Sequence, residues 1–398
     1  GLTAFAKENG LSLPLLRGLA ADLARNRGAA VAVCGASLPA AARAAVDLLN
    51  AMLGAEGRLT CQPQAPHDPS GLTAVKEALE DAAAGKFSAA VFWSVNPAYA
   101  FPDAALWKRA VAGLPFKVRI GLHVDETALD CGLVLPENHW LESWGDHESD
   151  SGHLTLQQPA IAPLYDTLQG EEMLLSWLSP TGGPAPEYRR YLEERWRKQV
   201  YPAGSAVPFD RFWNACLHDG LFQQQTRTSA PGSKDWARAF QAAATVPPAD
   251  GFELILRPGH NVFDGRYGDN GWLQETPDPL TKQTWGNALL VSPVDAERLG
   301  LKDGQVARVE SGVRLAQLPI IIQEGQTPGV LCAALGYGRR TGSVARAVGT
   351  NLYPLLDADS SSPFLLQSVR LFATGAVADL ALTQSHHRME GRDIARSV

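Results

Sequence analysis

The sequence predicts an α/β protein in two main parts: a doubly wound parallel sheet in residues 1–140 and a small β-barrel in residues 251–398. In the first part, short apolar runs alternate with segments of helical spacing, as in βαβ units. In the second part, strand-like runs follow one another with one short helix between them, which favours a barrel. Residues 141–250 then form a connector of loop and helices.

The elements of the first part follow from the spacing of apolar residues. Helical spacing covers Leu11–Arg27, Pro39–Leu53, Leu72–Ala84 and Pro102–Ala112. Short apolar runs predict strands at Ala29–Cys34, Phe87–Val95, Phe116–Leu122 and Gly132–Leu135. Because crossover connections through helices join parallel strands, we expect a parallel sheet with helices on both faces.

The connector and the barrel differ in their patterns of polar and apolar residues. Residues Pro136–Pro163 are polar with little periodicity, which predicts a long ordered loop, and Gly220–Asp250 indicates a mobile insert. Helices are predicted at Glu171–Leu178, Glu187–Gln199 and Phe209–Leu217. Barrel strands are predicted at Phe252–Leu256, Ala288–Val291, Val306–Glu310, Leu315–Ile322 and Gly329–Ala334, with a helix at Val294–Leu299.

Charge and cysteine content exclude several functions. The net charge is −7, and no stretch is dense enough in lysine and arginine to neutralise a phosphate backbone, so we expect no nucleic-acid partner. No apolar run is long enough for a transmembrane helix. The five cysteines are dispersed and form no CxxC pair, which argues against an iron–sulfur cluster, a zinc site or a disulfide framework within this chain: Cys34, Cys61, Cys131, Cys216 and Cys332.

Two glycine-containing loops are candidate phosphate sites. Cys34–Ser37 follows the first predicted strand, where Gly35 would let a phosphate approach the next helix, although helix–strand packing explains the same glycine. Gly336, Gly338 and Gly342 resemble a dinucleotide loop, but the last gap is one residue too long. A tight barrel turn is the favoured interpretation of these three glycines.

Residues 137–153 combine five carboxylates with three histidines. Imidazole and carboxylate groups could bind a divalent metal, for which the weak candidates are His139, Glu142, Asp146 and His147. The H-E-x-x-H pattern is not met, because Ser151 stands where the second histidine is required. A loop held by polar contacts is the favoured interpretation, so no metal site is expected.

Other catalytic patterns are missing from the sequence. It contains no G-x-S-x-G elbow and no Walker loop, so hydrolysis and phosphate transfer lack support. His386 and His387 are interpreted as part of an exposed tail rather than as proton-transfer groups.

Long motifs add a family resemblance. The stretches VDETALDCGLVLPENHWLESWGDHESDSGHLTLQQPAIAPLYDT (124–167), DGRYGDNGWLQETPDPLTKQTWGNALLVSP (264–293) and TQSHHRMEGRDIAR (383–396) occur in order. They resemble the molybdopterin-oxidoreductase-like large (iron–sulfur) subunit of bacterial alternative complex III. The resemblance covers nearly the whole chain and is weakest over Gly220–Asp250.

The resemblance implies a fold and a set of site residues. The first part would be the Rossmann-like third domain, and the second the double-psi β-barrel fourth domain, of formate dehydrogenase/DMSO reductase-like proteins. In molybdenum enzymes of this kind, these domains hold pterin dinucleotides. If that function is retained, the implied cofactor-binding residues are Gly35, Ala36, Ser37, Asn96, Pro97, Asp125, Glu126, Gly336, Gly338 and Arg339.

The resemblance also implies a role in a complex. The alternative complex III branch implies loss of the molybdenum cofactor, so we expect this fragment to be structural, with no cofactor of its own. Its expected partners are a ferredoxin-like iron–sulfur region of the same subunit and other subunits of a quinol-oxidising respiratory complex. The implied location is the periplasmic face of the inner membrane. The alternative is a catalytic oxidoreductase part that binds molybdopterin guanine dinucleotide.

Overall fold

The computed structural model describes residues 2–35, 38, 40–55, 71–149, 152–178, 187–223, 250–360 and 362–384. The chain divides into two compact units, residues 1–67 with 227–248 and residues 68–226 with 249–398. Several residues singled out in the sequence lie outside the described part: Ala36, Ser37, Cys61, Asp150, Ser151, His386 and His387. The predicted domain boundaries at residues 140 and 250 stay predictions.

The described part of the first unit contains the helices α1 (Leu2–Glu8), α2 (Leu13–Arg25) and α3 (Ala40–Leu53). The Ser12 hydroxyl accepts a hydrogen bond from the Leu15 N–H, and proline occupies the first turn of α2, so this helix begins where the sequence favours it. The two predicted helices of this region are confirmed, with ends shifted by one or two residues.

The strand predicted at Ala29–Cys34 is wrong. These residues form no regular strand, and Val33 is 85% exposed, whereas a strand inside a parallel sheet would be buried on both faces. The N–H and C=O of Ala32 are paired with the side-chain amide of Asn50, at 2.8 and 2.9 Å. The backbone polar groups of this segment are therefore satisfied by a side chain instead of a neighbouring strand.

The second unit begins with a three-stranded parallel sheet. Strands β1 (Ala89–Trp93), β2 (Phe116–Gly121) and β3 (Leu133–Pro136) pair in chain order. The helices before β3 are α4 (Leu72–Ala83), α5 (Pro97–Ala100) and α6 (Ala104–Gly113). Helices α4 and α6 share one apolar cluster, which includes Leu79, Trp107 and Ala110. This arrangement confirms a parallel α/β sheet in this part of the chain.

The connector is more regular than the sequence predicted. Its elements are β4 (Gly145–Glu148), β5 (His153–Gln157), α7 (Gly170–Leu178), α8 (Tyr188–Gln199), α9 (Phe209–Asp219) and β6 (Leu221–Gln223). The loop predicted over Pro136–Pro163 is therefore partly wrong, because β4 and β5 form an antiparallel pair within it. Leu154 and Leu156 alternate with polar residues and are buried, a strand signal too short to be recognised.

A closed barrel forms the rest of the described second unit. Its strands neighbour each other in the order β10–β8–β11–β7–β12–β9. Their bounds are β7 (Phe252–Arg257), β8 (Leu289–Val291), β9 (Gln305–Ser311), β10 (Arg314–Ile322), β11 (Val330–Ala334) and β12 (Leu365–Val377), with helices α10 (Gly271–Glu275) and α11 (Pro293–Leu299). The five predicted barrel strands and the predicted helix are confirmed.

The closing strand β12 was not predicted. A bulge between Leu366 and Val369, with Ser368 at φ 56°, breaks the alternation of apolar and polar residues that identifies a strand. Within the barrel, Leu289, Ile320 and Leu331 are fully buried and form its core. In the described residues, no helix has both the length and the apolar character that crossing a bilayer requires.

Candidate functional site

A groove of about 1450 Å³ lies inside the second unit. One wall is formed by the residues that follow β1, β2 and β3, and another by the barrel segment 264–270 together with Arg339; residues of α4, β4 and β5 complete the lining. The carboxyl ends of parallel strands meet at one sheet edge, which is where α/β proteins bind ligands. The polar lining includes Asn96, Asp125, Glu137, Asn138, Arg266 and Asp269.

A buried ion pair joins the sheet to the barrel. The Glu126 carboxylate accepts hydrogen bonds from the Arg339 guanidinium at 2.9 Å and from the Asn96 amide at 2.8 Å. It also accepts from the backbone N–H groups of Arg340 and Thr341, at 2.7 and 3.2 Å. The side chains of Glu126 and Arg339 are 1% and 11% exposed. We call this pair, with its backbone donors, the Glu126–Arg339 latch.

Burial and hydrogen bonding act in opposite directions on Glu126. Burial disfavours its ionised form. The hydrogen bonds from Arg339 and Asn96, the charge of Arg339 and the Arg340 N–H outweigh that cost and lower the pKa of Glu126 to about 2. The carboxylate is therefore ionised at every physiological pH.

Tyr99 packs beside the latch. Its ring lies under the Arg339 guanidinium, 5.0 Å from centroid to carbon, and its hydroxyl donates to the Tyr337 carbonyl at 2.6 Å. Burial raises the pKa of the Tyr99 hydroxyl well above its usual range. Arg339 also donates to the Gly265 carbonyl at 2.7 Å, which fixes the barrel segment that lines the groove.

Asp125 has a structural partner, Arg119, that also lines the groove. Its carboxylate pairs with Arg119 of β2 at 2.7 Å, and both side chains are 6% exposed. It also accepts from the Ala128 N–H at 2.9 Å. Asp125 therefore holds the loop after β2 in place and neutralises a buried arginine.

The barrel wall contributes one exposed guanidinium. Arg266 is 57% exposed and pairs with Asp264 at 2.7 Å. Asp269 accepts from the backbone N–H groups of Val344 and Ala345, both at 2.9 Å, and so ties segment 264–270 to the loop after β11. The Arg266 guanidinium has five N–H donors, so it can contact an anionic ligand while it remains paired with Asp264.

The residues after β3 present polar groups to the same groove. The Glu137 carboxylate accepts from the Trp93 indole N–H through one oxygen and from the Ser94 hydroxyl, at 2.7 Å, through the other. Asn138 accepts from the Thr167 hydroxyl at 2.6 Å. Trp140 lines the groove and is 59% exposed. This set joins a carboxylate, an amide and an aromatic ring within four residues.

The four weak metal candidates have other roles. His139 and Glu142 cap the short helix Trp140–Glu142, where the His139 Nδ1 accepts from the Leu141 N–H at 3.3 Å. Asp146 pairs with Arg195 and accepts from the Trp196 indole. His147 is an exposed residue of β4 and lines the groove. No group of three potential metal ligands occurs within the part of the chain that the structure describes.

The structure brings together part of the implied cofactor-binding set. Asn96, Pro97, Asp125 and Arg339 line the groove, and Glu126 lies behind them in the latch. Gly336 and Gly338 instead pack against backbone, with left-handed φ values of 97° and 72°, as expected for a tight barrel turn. Gly35 belongs to the first unit.

The sequence pattern placed Glu137 only among the carboxylates of residues 137–153, and it did not indicate Asn138 or Arg266 as ligand-binding residues. Glu137 and Asn138 directly follow a predicted strand, so the rule that ligands lie beyond the carboxyl ends of parallel strands could have found them. Arg266 belongs to a barrel loop far away in sequence, and only the fold brings it to the same groove.

Comparisons with known proteins show what part of the barrel is similar to. Residues 265–362 match the family described as "Molydopterin dinucleotide binding domain". The chain is 30% identical over 193 residues to the menaquinone reductase, molybdopterin-binding-like subunit of Nitratidesulfovibrio vulgaris. It is 22% identical over 319 residues to the arsenate respiratory reductase molybdopterin-containing subunit ArrA of a Shewanella species. The chain is thus similar, over part of its length, to molybdopterin-binding subunits of two reductases.

The chain spans about a third of the length of these curated relatives, 28% and 37% respectively, while the matches cover 43% and 60% of the chain. Acetylene hydratase from Pelobacter acetylenicus is a similar solved structure, at 16% identity and a TM-score of 0.47, over 76% of this chain and 46% of that one. The comparisons support the cofactor-binding alternative better than a cofactor-free role. They do not confirm the narrower resemblance to alternative complex III.

Proposed function

We propose that this chain is the molybdopterin-dinucleotide-binding part of a molybdopterin oxidoreductase family protein. One observation carries the proposal: the barrel segment that matches the family and the ligand-binding edge of a parallel sheet line one groove. The Glu126–Arg339 latch holds the two walls together, so the groove is preformed.

The groove suits a large nucleotide-like ligand in size and in chemistry. Its volume of about 1450 Å³ exceeds that of ordinary small-molecule pockets, which hold roughly 300–1,000 Å³. Arg266 would contact the phosphates, and Asn96, Glu137 and Asn138 offer hydrogen-bonding groups to the rings. When bound, a molybdenum–pterin cofactor supplies two-electron redox chemistry at its metal; the residues of this chain bind and orient it.

The test is cofactor content. The full chain would be produced in a host that makes molybdopterin guanine dinucleotide, and pterin and released GMP would be measured per chain. We expect both in stoichiometric amounts. Arg266→Met should lower retention roughly tenfold, because a charge-assisted contact to phosphate is lost. Arg298→Met is the matched control, since Arg298 also pairs with a nearby aspartate at 2.7 Å but lies outside the groove.

A cofactor-free structural role in a quinol-oxidising respiratory complex is the second candidate. It is favoured by the carboxylate partners of the three groove arginines, Asp125 for Arg119, Asp264 for Arg266 and Glu126 for Arg339. These carboxylates neutralise the positive charge that would otherwise attract phosphates. The relative named as a menaquinone reductase subunit supports a link to quinones.

This second role would place the chain beside a ferredoxin-like iron–sulfur region and other subunits, at the periplasmic face of the inner membrane. Purification of the native complex from membranes separates the candidates. Stoichiometric pterin would exclude the structural role, and pterin-free complex that still contains this chain would exclude the cofactor-binding role.

A further inference from the structure

We propose that Glu137 and Asn138 recognise the 2-amino-4-oxopyrimidine edge that guanine and pterin rings share. The inference deepens the proposed function and rests on it for the identity of the natural ligand. This edge presents a ring N–H and an exocyclic NH2 as donors, next to a carbonyl oxygen as acceptor. A matching site therefore needs two acceptors beside one donor.

Glu137 provides the two acceptors. A carboxylate has about four lone-pair positions, two on each oxygen. The Trp93 indole occupies one position on one oxygen, and the Ser94 hydroxyl occupies one on the other. Each oxygen keeps a second position at the groove, which two adjacent N–H donors can occupy together.

The supporting contacts fix the orientation of this carboxylate. Trp93 ends β1, and Ser94 follows it with φ 51°, a left-handed conformation that is costly for a non-glycine residue. Glu137 follows the end of β3, so the two donors and the carboxylate come from two different strands of the same sheet. The sheet thus holds Glu137 in one position before any ligand arrives.

Asn138 provides the donor. Its side-chain oxygen accepts from Thr167, and its backbone N–H donates to the Leu168 carbonyl. These contacts leave the side-chain NH2 group to donate at the groove, where a ring carbonyl would accept it. Adenine is rejected by this pattern, since it places an acceptor where Glu137 needs a donor and a donor against the Asn138 NH2.

Trp140 completes the site with a stacking surface. Its ring is 59% exposed on the groove, and the neighbouring His139 ring lies 5.3 Å away. Stacking on an aromatic ring stabilises any flat heterocycle, so Trp140 adds affinity and leaves the choice of ring to Glu137 and Asn138. Asp125, Asp146 and Asp264, three further carboxylates of the groove, are each bonded to an arginine.

The experiment compares ligands that differ in this edge. Binding of GMP, IMP, AMP and 6-hydroxymethylpterin to the full chain would be measured by calorimetry. IMP is GMP without the 2-amino group. We expect GMP and the pterin to bind, IMP to bind about tenfold more weakly than GMP, and AMP to bind more weakly still.

Glu137→Gln should weaken GMP and pterin binding by about 10-fold to 100-fold and bring GMP and IMP to within about twofold of each other. Glu148→Gln is the matched control, because Glu148 is an exposed carboxylate of β4 outside the groove lining, and it should change nothing. Equal affinity of the wild-type chain for GMP, IMP and AMP would overturn the proposal without reliance on any variant. So would an unchanged GMP/IMP ratio in Glu137→Gln.

These outcomes are separable from the proposed function. If the wild-type chain shows no preference for GMP over IMP but retains its full cofactor content, Glu137 is rejected as the recognition group and the cofactor-binding role is kept. A Glu137-dependent preference in a chain that never retains the dinucleotide would support the ring site and reject that role. Binding of GMP but not of the pterin assigns the site to the guanine end, and the reverse result assigns it to the pterin end.

Discussion

Glu126 shows how a charge is kept in the interior of this protein. Its side chain is 1% exposed, yet four donors and a positive charge compensate the loss of water. A buried charge is stable only when such partners are complete. Each donor to Glu126 therefore contributes to the position of the groove walls as well as to stability.

The low pKa of Glu126 predicts a pH dependence of stability. Its folded pKa of about 2 lies below the usual value of 4.5, so the ionised form is stabilised by folding. That contribution, up to about 3 kcal/mol, is fully present above pH 4.5 and is lost as the pH falls towards 2. Urea unfolding between pH 3 and pH 7 checks this.

Glu126→Gln should flatten this pH dependence, because the titrating group is gone. Glu148→Gln, which removes an exposed carboxylate, should retain the wild-type slope. An acid loss of stability that is identical in the wild type and Glu126→Gln would show that other carboxylates are responsible.

Among the secondary-structure elements and loops, the loop after β11 determines how the barrel meets the sheet. It carries Gly338 with φ 72°, and a Cβ there would lie 2.0 Å from the Asn351 nitrogen. Gly312, in the turn between β9 and β10, has φ 60°, but a Cβ added there would meet no atom within 4 Å. Comparison of the two glycines therefore distinguishes the cost of a left-handed backbone from the cost of a close contact.

Replacement of each glycine by alanine tests this difference. Gly312→Ala should cost about 1 kcal/mol, since only the left-handed conformation is penalised. Gly338→Ala should cost at least about 3 kcal/mol, because the backbone of the loop must also move. Chemical unfolding measures both values, and equal costs would show that the loop adjusts freely around Gly338.

At the scale of the whole second unit, the Glu126–Arg339 latch couples the parallel sheet to the barrel. Removal of one partner leaves the other charge buried and unpaired, which costs about 3–5 kcal/mol. Removal of both leaves no uncompensated charge. The energies of the two single substitutions should therefore not be additive.

A double-mutant cycle with Glu126→Gln and Arg339→Met measures this coupling. We expect the double variant to be destabilised by less than the sum of the single variants, with a coupling of about 1–3 kcal/mol. Glu310→Gln with Arg308→Met is the control pair, since this ion pair lies on the barrel surface, with 44% exposure of the arginine, and should couple by less than about 1 kcal/mol. Additive energies at the latch would show that Glu126 and Arg339 act independently.

Local sequence determined most of the helices and strands. These elements have signals that lie within a few neighbouring residues. Examples are the proline at the start of α2 and α11, the alternating apolar residues of β7 and the buried run of β2. The parallel direction of β1 and β2 follows from the helical crossover between them. Where a bulge interrupts the pattern, as at Ser368 in β12, the local signal is lost.

The sequence by itself determined the alternation of helices and strands, the barrel strands before β12 and the residue types at the carboxyl ends of the parallel strands. Only the tertiary structure decided that Ala32 pairs with Asn50, that Glu126 meets Arg339 and that Arg266 and Glu137 line the same groove. The physical reason is distance along the chain. Periodicity reports contacts between residues a few positions apart, whereas Glu126 and Arg339 are separated by 213 positions, and folding alone brings them together.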